Sequence, residues 1–242
     1  MKILKDLKID IYADGASKYN VEKLSKLDYI DGFTTNPSLM RSEGVENYVS
    51  HSLELLKLAN KKPMSFEVLT DNMTEMYNQA LKISEWGDNV FVKIPIVNSL
   101  GESTKDVIEK LASKSVNLNI TAVFTIEQVK ESIDACFGSP NSIISVFAGR
   151  IADTGVDPEE IISRSVELVS DSKSNSKILW ASSREIFNIF QADRSGADII
   201  TVSHDLLNKV NTISKDLMQY SIETAEMFIN DAKNAKYNFD NK

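Results

Sequence analysis

At 242 residues, with 42% hydrophobic and 26% charged side chains, the chain has an ordinary globular make-up and length for one large barrel domain. A net charge of −8 argues against nucleic acid or an anionic membrane as the main partner, although a local arginine cluster leaves room for a phosphorylated ligand. The single cysteine, Cys136, excludes an internal disulfide, no Cys/His spacing suits a metal, and no apolar run approaches the roughly 20 residues that a membrane span needs.

The opening stretch Met1–Lys8 is charged throughout and reads unlike a secretion leader, so a cytoplasmic protein is expected. From there, short apolar runs alternate with amphipathic segments. Strands are predicted at Ile9–Ala13, Ile30–Thr34, Met64–Val68, Val90–Ile94, Leu118–Val123, Ser142–Phe147, Lys177–Ala181 and Asp198–Val202. Several are almost continuously apolar, as strands covered on both faces are. Helices are predicted at Val45–Ala59, Thr74–Glu85, Lys105–Ser113, Ile126–Cys136 and Pro158–Val169. Thr125 with Gln128 forms a capping box, and Asp157-Pro158 places a cap before a first-turn proline.

Eight strands alternating with helices over about 200 residues predict an α/β, (β/α)₈ barrel, with an open doubly wound sheet as the alternative. No GxGxxG or GxxxxGK[ST] run supports that alternative. No linker or repeat divides residues 1–242. After the last strand, Leu206, Val210, Ile213, Leu217, Tyr220, Thr224 and Met227 follow four- and three-residue steps. That spacing predicts one long helix within an extension at about 205–235, suited to packing on its own barrel or to joining subunits of a homo-oligomer.

Barrel chemistry sits at the C-terminal ends of the strands. In chain order these ends carry Asp14, Asn36, Glu67, Lys93, Asn119 with Thr121, Ser145 with Arg150, and Ser182 with Arg184. Lys93 is the most informative of them. It lies in Val90-Phe91-Val92-Lys93-Ile94-Pro95, where burying a cation is costly, and a lysine that sheds its proton there can attack a carbonyl. Individually the others have structural uses: turns for Asp14 and Asn36, an ion pair for Glu67, a strand position for Thr121, and a capping box with Glu185 for Ser182. Arg184 is expected in the first turn of the following helix, whose free N–H groups favour anions. His51 and His204 fall in or beside helices and are expected to be non-catalytic, and Cys136 is expected to pack in the core.

Several of these residues sit in segments that resemble the transaldolases and the related fructose 6-phosphate aldolases. The segments are Tyr12-Ala13-Asp14, Phe33-Thr34-Thr35-Asn36-Pro37-Ser38, Phe66-Glu67-Val68, Val92-Lys93-Ile94-Pro95, Asn119-Ile120-Thr121-Ala122-Val123-Phe124, Ser145-Val146-Phe147-Ala148-Gly149-Arg150-Ile151 and Ala181-Ser182-Ser183-Arg184. They run in family order over most of the chain. The resemblance implies a barrel working on sugar phosphates without metal or organic cofactor, the chemistry of the pentose phosphate pathway. It implies Lys93 as Schiff-base nucleophile and Asp14 as general base on the sugar C4 hydroxyl, with Glu67 and Thr121 holding a proton-shuttling water. Asn36, Asn119 and Ser145 would bind hydroxyls of a dihydroxyacetone unit, and Arg150, Arg184 and Ser182 would grip phosphate.

The aldolases tend to carry Gln and Tyr where this sequence has Glu67 and Phe147, so transfer of the three-carbon unit is expected over its release. The expected exchange takes sedoheptulose 7-phosphate and glyceraldehyde 3-phosphate to erythrose 4-phosphate and fructose 6-phosphate. The alternatives are an aldolase releasing dihydroxyacetone and a non-catalytic sugar-phosphate-binding barrel. Two departures stand out. Asp14 is followed by Gly15, where the family usually has Thr or Ser, so a hydroxyl that would orient the carboxylate is missing. Ser183 replaces a bulky aromatic, which widens the anion pocket toward other acidic sugars, a sulfonate for example.

Overall fold

The computed structural model describes residue 4, residues 6–172 and 174–237, and residue 239. Residues up to Leu207 form one compact unit and those from Asn208 a smaller one.

The larger unit is a closed barrel of eight parallel strands in chain order. The strands are β1 (Asp10–Asp14), β2 (Gly32–Thr34), β3 (Met64–Glu67), β4 (Val90–Pro95), β5 (Leu118–Val123), β6 (Ser142–Val146), β7 (Ser176–Trp180) and β8 (Ile199–Ser203). Closure is made by β1 and β8, paired from Asp10 with Ile199 to Asp14 with Ser203. That pairing rules out the open sheet. Every predicted strand is present, within about two residues of its predicted ends.

Along each strand, alternate residues face the barrel interior or the surrounding helices. Tyr12, Ile143, Leu179, Ala181 and Ile199 form a buried interior cluster, with Phe91 and Phe147 packed against it. Tyr12, Ile143 and Ile199 each lie two residues before a polar group: Asp14, Ser145 and Thr201. The strands therefore change from apolar filling to polar chemistry within one pleat.

Helices alternate with the strands. Those that matter below are α1 (Lys18–Ser25), α2 (Pro37–Ser42), α3 (Tyr48–Leu58), α4 (Met73–Ser84), α5 (Lys105–Ala112), α6 (Ile126–Ala135), α7 (Ala148–Asp153), α8 (Pro158–Ser172), α9 (Asn188–Arg194) and α10 (His204–Leu207). Thr125 and Gln128 make both hydrogen bonds of the expected capping box. Asp157 Oδ1 accepts from the Glu159 N–H at the start of α8. Cys136 closes α6, buried, and burial pushes its thiol up to about 12.

The smaller unit corrects the expectation of one long helix. The chain makes a 3₁₀ turn at Val210–Thr212, then the helix α11 over Leu217–Asn234. Ser214 adopts a positive φ of 62°, which no helix tolerates, and Asp216 Oδ1 caps α11 by accepting from the Gln219 N–H. Lys215 pairs with Glu223 and lies over the Tyr220 ring. None of the α11 residues is buried, and Leu217, Met218, Phe228 and Ile229 are exposed. Among the described residues, no helix is long and apolar enough to cross a membrane.

Candidate active site

A cavity of about 110 Å³ opens among the C-terminal strand ends. Of the eleven residues singled out from the sequence, eight line it: Asp14, Asn36, Lys93 and Thr121, together with Ser145, Phe147, Arg150 and Ser182. Glu67, Asn119 and Arg184 do not. A larger cleft, about 570 Å³, lies outside the barrel along Ser17–Tyr19, Glu43–Asn47 and the start of α3. Volume alone does not mark a reactive site, and only the smaller cavity collects ionisable groups from several strand ends.

Lys93 is 6% exposed. The register sets it beside Glu67 on β3 and Asn119 on β5. Its Nζ stands 3.2 Å from Glu67 Oε2 and donates to the Thr35 carbonyl at 3.0 Å. The cation is therefore not alone in apolar surroundings; it has a carboxylate and a carbonyl to answer it. Glu67 reaches it from the adjacent strand β3, and the Tyr48 hydroxyl donates to the Glu67 carbonyl at 2.8 Å, fixing the end of that strand.

Asp14 shares the cavity with Lys93. Burial pushes its carboxyl above the usual carboxylate range; Lys93 and a hydrogen bond from Thr34 pull the other way, and Glu67 adds to the rise. The Thr34 hydroxyl donates to Asp14 Oδ1 at 2.7 Å. So the carboxylate is oriented by a hydroxyl from the adjacent strand β2, rather than by one at position 15.

Position 15 has another use. A Cβ on Gly15 would lie 2.2 Å from Cε1 of His204, whose ring covers that backbone. His204 lies off the cavity wall; burial lowers its pKa, and its buried Nε2 has no hydrogen-bond partner among the described residues. Gly15→Ala is expected to destabilise the fold by about 1–3 kcal/mol, the usual cost of overpacking. Urea denaturation measures it, and an unchanged midpoint would mean that the imidazole yields freely.

On β5 the ladder slips between Ile120 and Val123, and Ala122 takes a positive φ of 57°. Such a bulge re-aims the neighbouring side chain, here Thr121. The Thr121 hydroxyl is buried on the cavity wall with no partner among the described residues, a group that calls for a water or a substrate hydroxyl. Asn36 is only partly available, since its Oδ1 caps α2 by accepting from the Leu39 N–H. Asn119 is fully buried: it donates to Ser65 Oγ at 3.0 Å and accepts from Ser145 Oγ at 2.7 Å. Its direct reach is to Ser145, which does line the cavity.

The end expected to hold an anion departs from expectation in two ways. Ser182 does not cap a helix. It takes a positive φ of 62°, and α9 begins only at Asn188, whose Oδ1 accepts from the N–H groups of Arg184 and Glu185. Arg184 is thus in a loop ahead of the helix, and its guanidinium pairs with Asp153 at 2.5 Å, half-exposed. Arg150 does reach the cavity, its guanidinium 5.5 Å over the Phe147 ring. Gly149 brings these parts together: a Cβ there would lie 1.7 Å from the Ser182 carbonyl oxygen, so only glycine lets α7 and the β7 loop meet.

The arrangement offers an amine, a carboxylate, an unanswered hydroxyl and a guanidinium around one small space, with a second carboxylate, Glu67, 3.2 Å from the amine. Those are the parts for imine formation and proton transfer on a carbonyl compound bearing an anionic group. Among the described residues, no group of three His, Cys, Asp or Glu side chains is placed to hold a metal ion.

Thr34 and Thr201, both on the cavity wall, were not singled out from the sequence. A threonine within a strand, Thr201 among Ile199, Ile200 and Val202 above all, carries no signal of its own, and only the fold shows the two hydroxyls converging.

Comparison with known proteins gives the same direction. The family model described as Transaldolase/Fructose-6-phosphate aldolase matches residues 11–242. A "Probable transaldolase" of Dehalococcoides mccartyi is 31% identical over 197 residues, covering 81% of this chain and 88% of that protein. Another from Thermoplasma volcanium is 32% identical, covering 81% and 85% respectively. Among solved structures, an HpcH/Hpal aldolase/citrate lyase family protein from Burkholderia cenocepacia J2315 superposes with a TM-score of 0.58 at 11% identity, covering 91% of this chain and 98% of that one. That likeness is one of fold.

Proposed function

The chain belongs to the transaldolase/fructose-6-phosphate aldolase family, and on that premise we propose that it is a transaldolase, moving a dihydroxyacetone unit between sugar phosphates through an imine on Lys93. The observation that carries this reading is the buried Lys93 amine, within 3.2 Å of the Glu67 carboxylate and in one cavity with Asp14.

In this mechanism the Lys93 nitrogen, its proton shed toward Glu67, adds to the C2 carbonyl of a ketose phosphate. Loss of water gives a protonated imine, with Thr121 and Glu67 holding the water involved. Asp14 takes the C4 hydroxyl proton, the C3–C4 bond breaks, and its electron pair flows into the imine to leave an enamine. The aldehyde product departs with its phosphate. An acceptor aldehyde then takes the enamine carbon, Asp14 returns its proton, and hydrolysis frees the new ketose. Positioned proton transfer of this kind is worth about 10²–10⁴-fold in rate. Arg150 and Ser182 hold the phosphate in this reading. Arg184 joins them only on leaving Asp153. Asn36 and Ser145 contact the three-carbon unit, and Asn119 fixes Ser145.

Transfer is favoured over simple cleavage because Phe147, on the cavity wall, has no proton to give the enamine. Borohydride reduction with fructose 6-phosphate, followed by peptide mass spectrometry, should place a covalent three- or six-carbon adduct on Lys93. A binding barrel without catalysis would give none. With sedoheptulose 7-phosphate as donor and glyceraldehyde 3-phosphate as acceptor, turnover should depend on the acceptor. Steady release of free dihydroxyacetone without acceptor, at a comparable rate, would make the protein an aldolase instead. Phe147→Tyr is expected to raise that release by about tenfold or more, short of the roughly 10²–10⁴-fold that a fully positioned proton donor contributes; no rise would remove the argument from Phe147.

A further inference from the structure

We propose that Thr201 is a positioning residue of this site, acting through Thr34 to keep the Asp14 carboxylate oriented and ionised. The inference rests on the reading of Asp14 as the proton acceptor, and it concerns a residue of β8, where the sequence showed no polar group of interest.

The geometry assigns the protons. Thr34 Oγ1 lies 2.7 Å from Asp14 Oδ1 and 2.5 Å from Thr201 Oγ1. A threonine hydroxyl has one hydrogen, and an ionised carboxylate can only accept. Thr34 therefore gives its hydrogen to Asp14, and the short contact with Thr201 is made by Thr201 donating to Thr34. Donation into Thr34 strengthens the bond that Thr34 makes to the carboxylate, because successive hydrogen bonds polarise one another. Both hydroxyls are buried, Thr34 at 3% and Thr201 at 5% exposure, so water does not readily replace either.

Thr201 is itself held. The Ser183 hydroxyl donates to the Thr201 carbonyl at 2.9 Å, so the loop after β7 pins the end of β8. Both departures from the family pattern then acquire a use. Gly15 surrenders the neighbouring hydroxyl and seats His204; the hydroxyl on Asp14 comes from β2 and β8 instead. Ser183, in place of a bulky aromatic, supplies the brace.

The groups facing Asp14 are Lys93 on β4, which favours its ionised form, and Glu67 on β3, which opposes it. Arg150 lines the same cavity, and the imidazole of His204 lies on the adjoining backbone of Gly15. Against that background the hydroxyl pair is the adjustable support.

The test is a carbon-13 NMR titration of the Asp14 carboxyl in the full chain, assigned by its absence in Asp14→Asn, for the wild type, Thr201→Val and Thr201→Ser. Thr201→Ala is the second hydroxyl-free variant should Thr201→Val not fold. The Asp14 titration should move to higher pH by about half a unit or more when the hydroxyl is removed, and return to the wild-type position in Thr201→Ser. In parallel, the acid limb of kcat should move up by the same amount, with KM within about twofold. An unmoved titration in a folded hydroxyl-free variant, or a serine variant displaced as far as the valine one, overturns the proposal. A titration that moves while the acid limb stays leaves the threonine pair supported and removes Asp14 as the rate-determining base, which is a failure of the functional reading alone.

Discussion

Lys93→Met is expected to abolish both turnover and borohydride trapping while leaving the barrel folded. Removal of a covalent nucleophile costs on the order of 10⁶-fold in kcat where it has been dissected in other enzymes, and a bare ketone offers no comparable sink for the electrons of the breaking bond. Methionine is unbranched and only one atom shorter than lysine, so it can follow the path of the lysine stem in the apolar run of β4. What it removes is the donor to the Thr35 carbonyl and the cation 3.2 Å from Glu67. Leaving those acceptors unanswered costs about 1–3 kcal/mol, which circular dichroism melting would register. Asp14 also loses the charge that favours its ionised form, so its carboxyl moves further up. A folded Lys93→Met protein that still turned over, or one in which fructose 6-phosphate and borohydride labelled another lysine, would remove the imine from Lys93 and the mechanism with it.

The fold was readable because its cause is repetitive. Each strand is a short run buried on both faces, and eight such runs separated by amphipathic segments leave few topologies. Asp14, Lys93 and Thr121 were also readable, since polar groups at the ends of apolar strands violate the core pattern and a barrel places those ends together. What escaped was whatever depends on backbone conformation or on pairing across the barrel. The Ser182–Glu185 spacing looks like a helix start, but Asn188 intercepts the N–H groups of Arg184 and Glu185, and the helix begins later. The apolar steps from Leu206 to Met227 look continuous, yet hydrophobic spacing does not register the positive φ at Ser214 or the cap at Asp216. Nothing local to Arg184 reveals that Asp153, 31 positions away, pairs with its guanidinium. Thr34 and Thr201 are 167 positions apart, and only the closure of β1 against both β2 and β8 brings their hydroxyls together.

Asp14→Asn should separate the demands of catalysis from those of stability. The amide keeps an oxygen to accept from Thr34 but cannot take the C4 proton, so kcat should fall by about 10²–10⁴-fold with little change in KM. The same substitution should stabilise the protein at neutral pH. In the unfolded chain the Asp14 carboxyl titrates near about 3.9; folded, burial raises it above that. Between the two values the folded state holds more protons than the unfolded one, so wild-type stability declines as pH rises through that window and stays reduced above it. An asparagine has no such titration. Its advantage should therefore grow as pH rises above the unfolded value, level off once pH passes the folded one, and vanish below about pH 4, where the carboxyl is neutral in both states. Urea denaturation of the two proteins at pH 7 and near pH 3.5, alongside kcat at pH 7, makes the comparison. A variant that is slower yet gains nothing in stability at pH 7 would mean that Lys93 and Thr34 more than offset the burial of Asp14. One that is stabilised yet fully active would leave the carboxylate a buried cost with no catalytic return, and the proton acceptor would have to be sought elsewhere on the cavity wall.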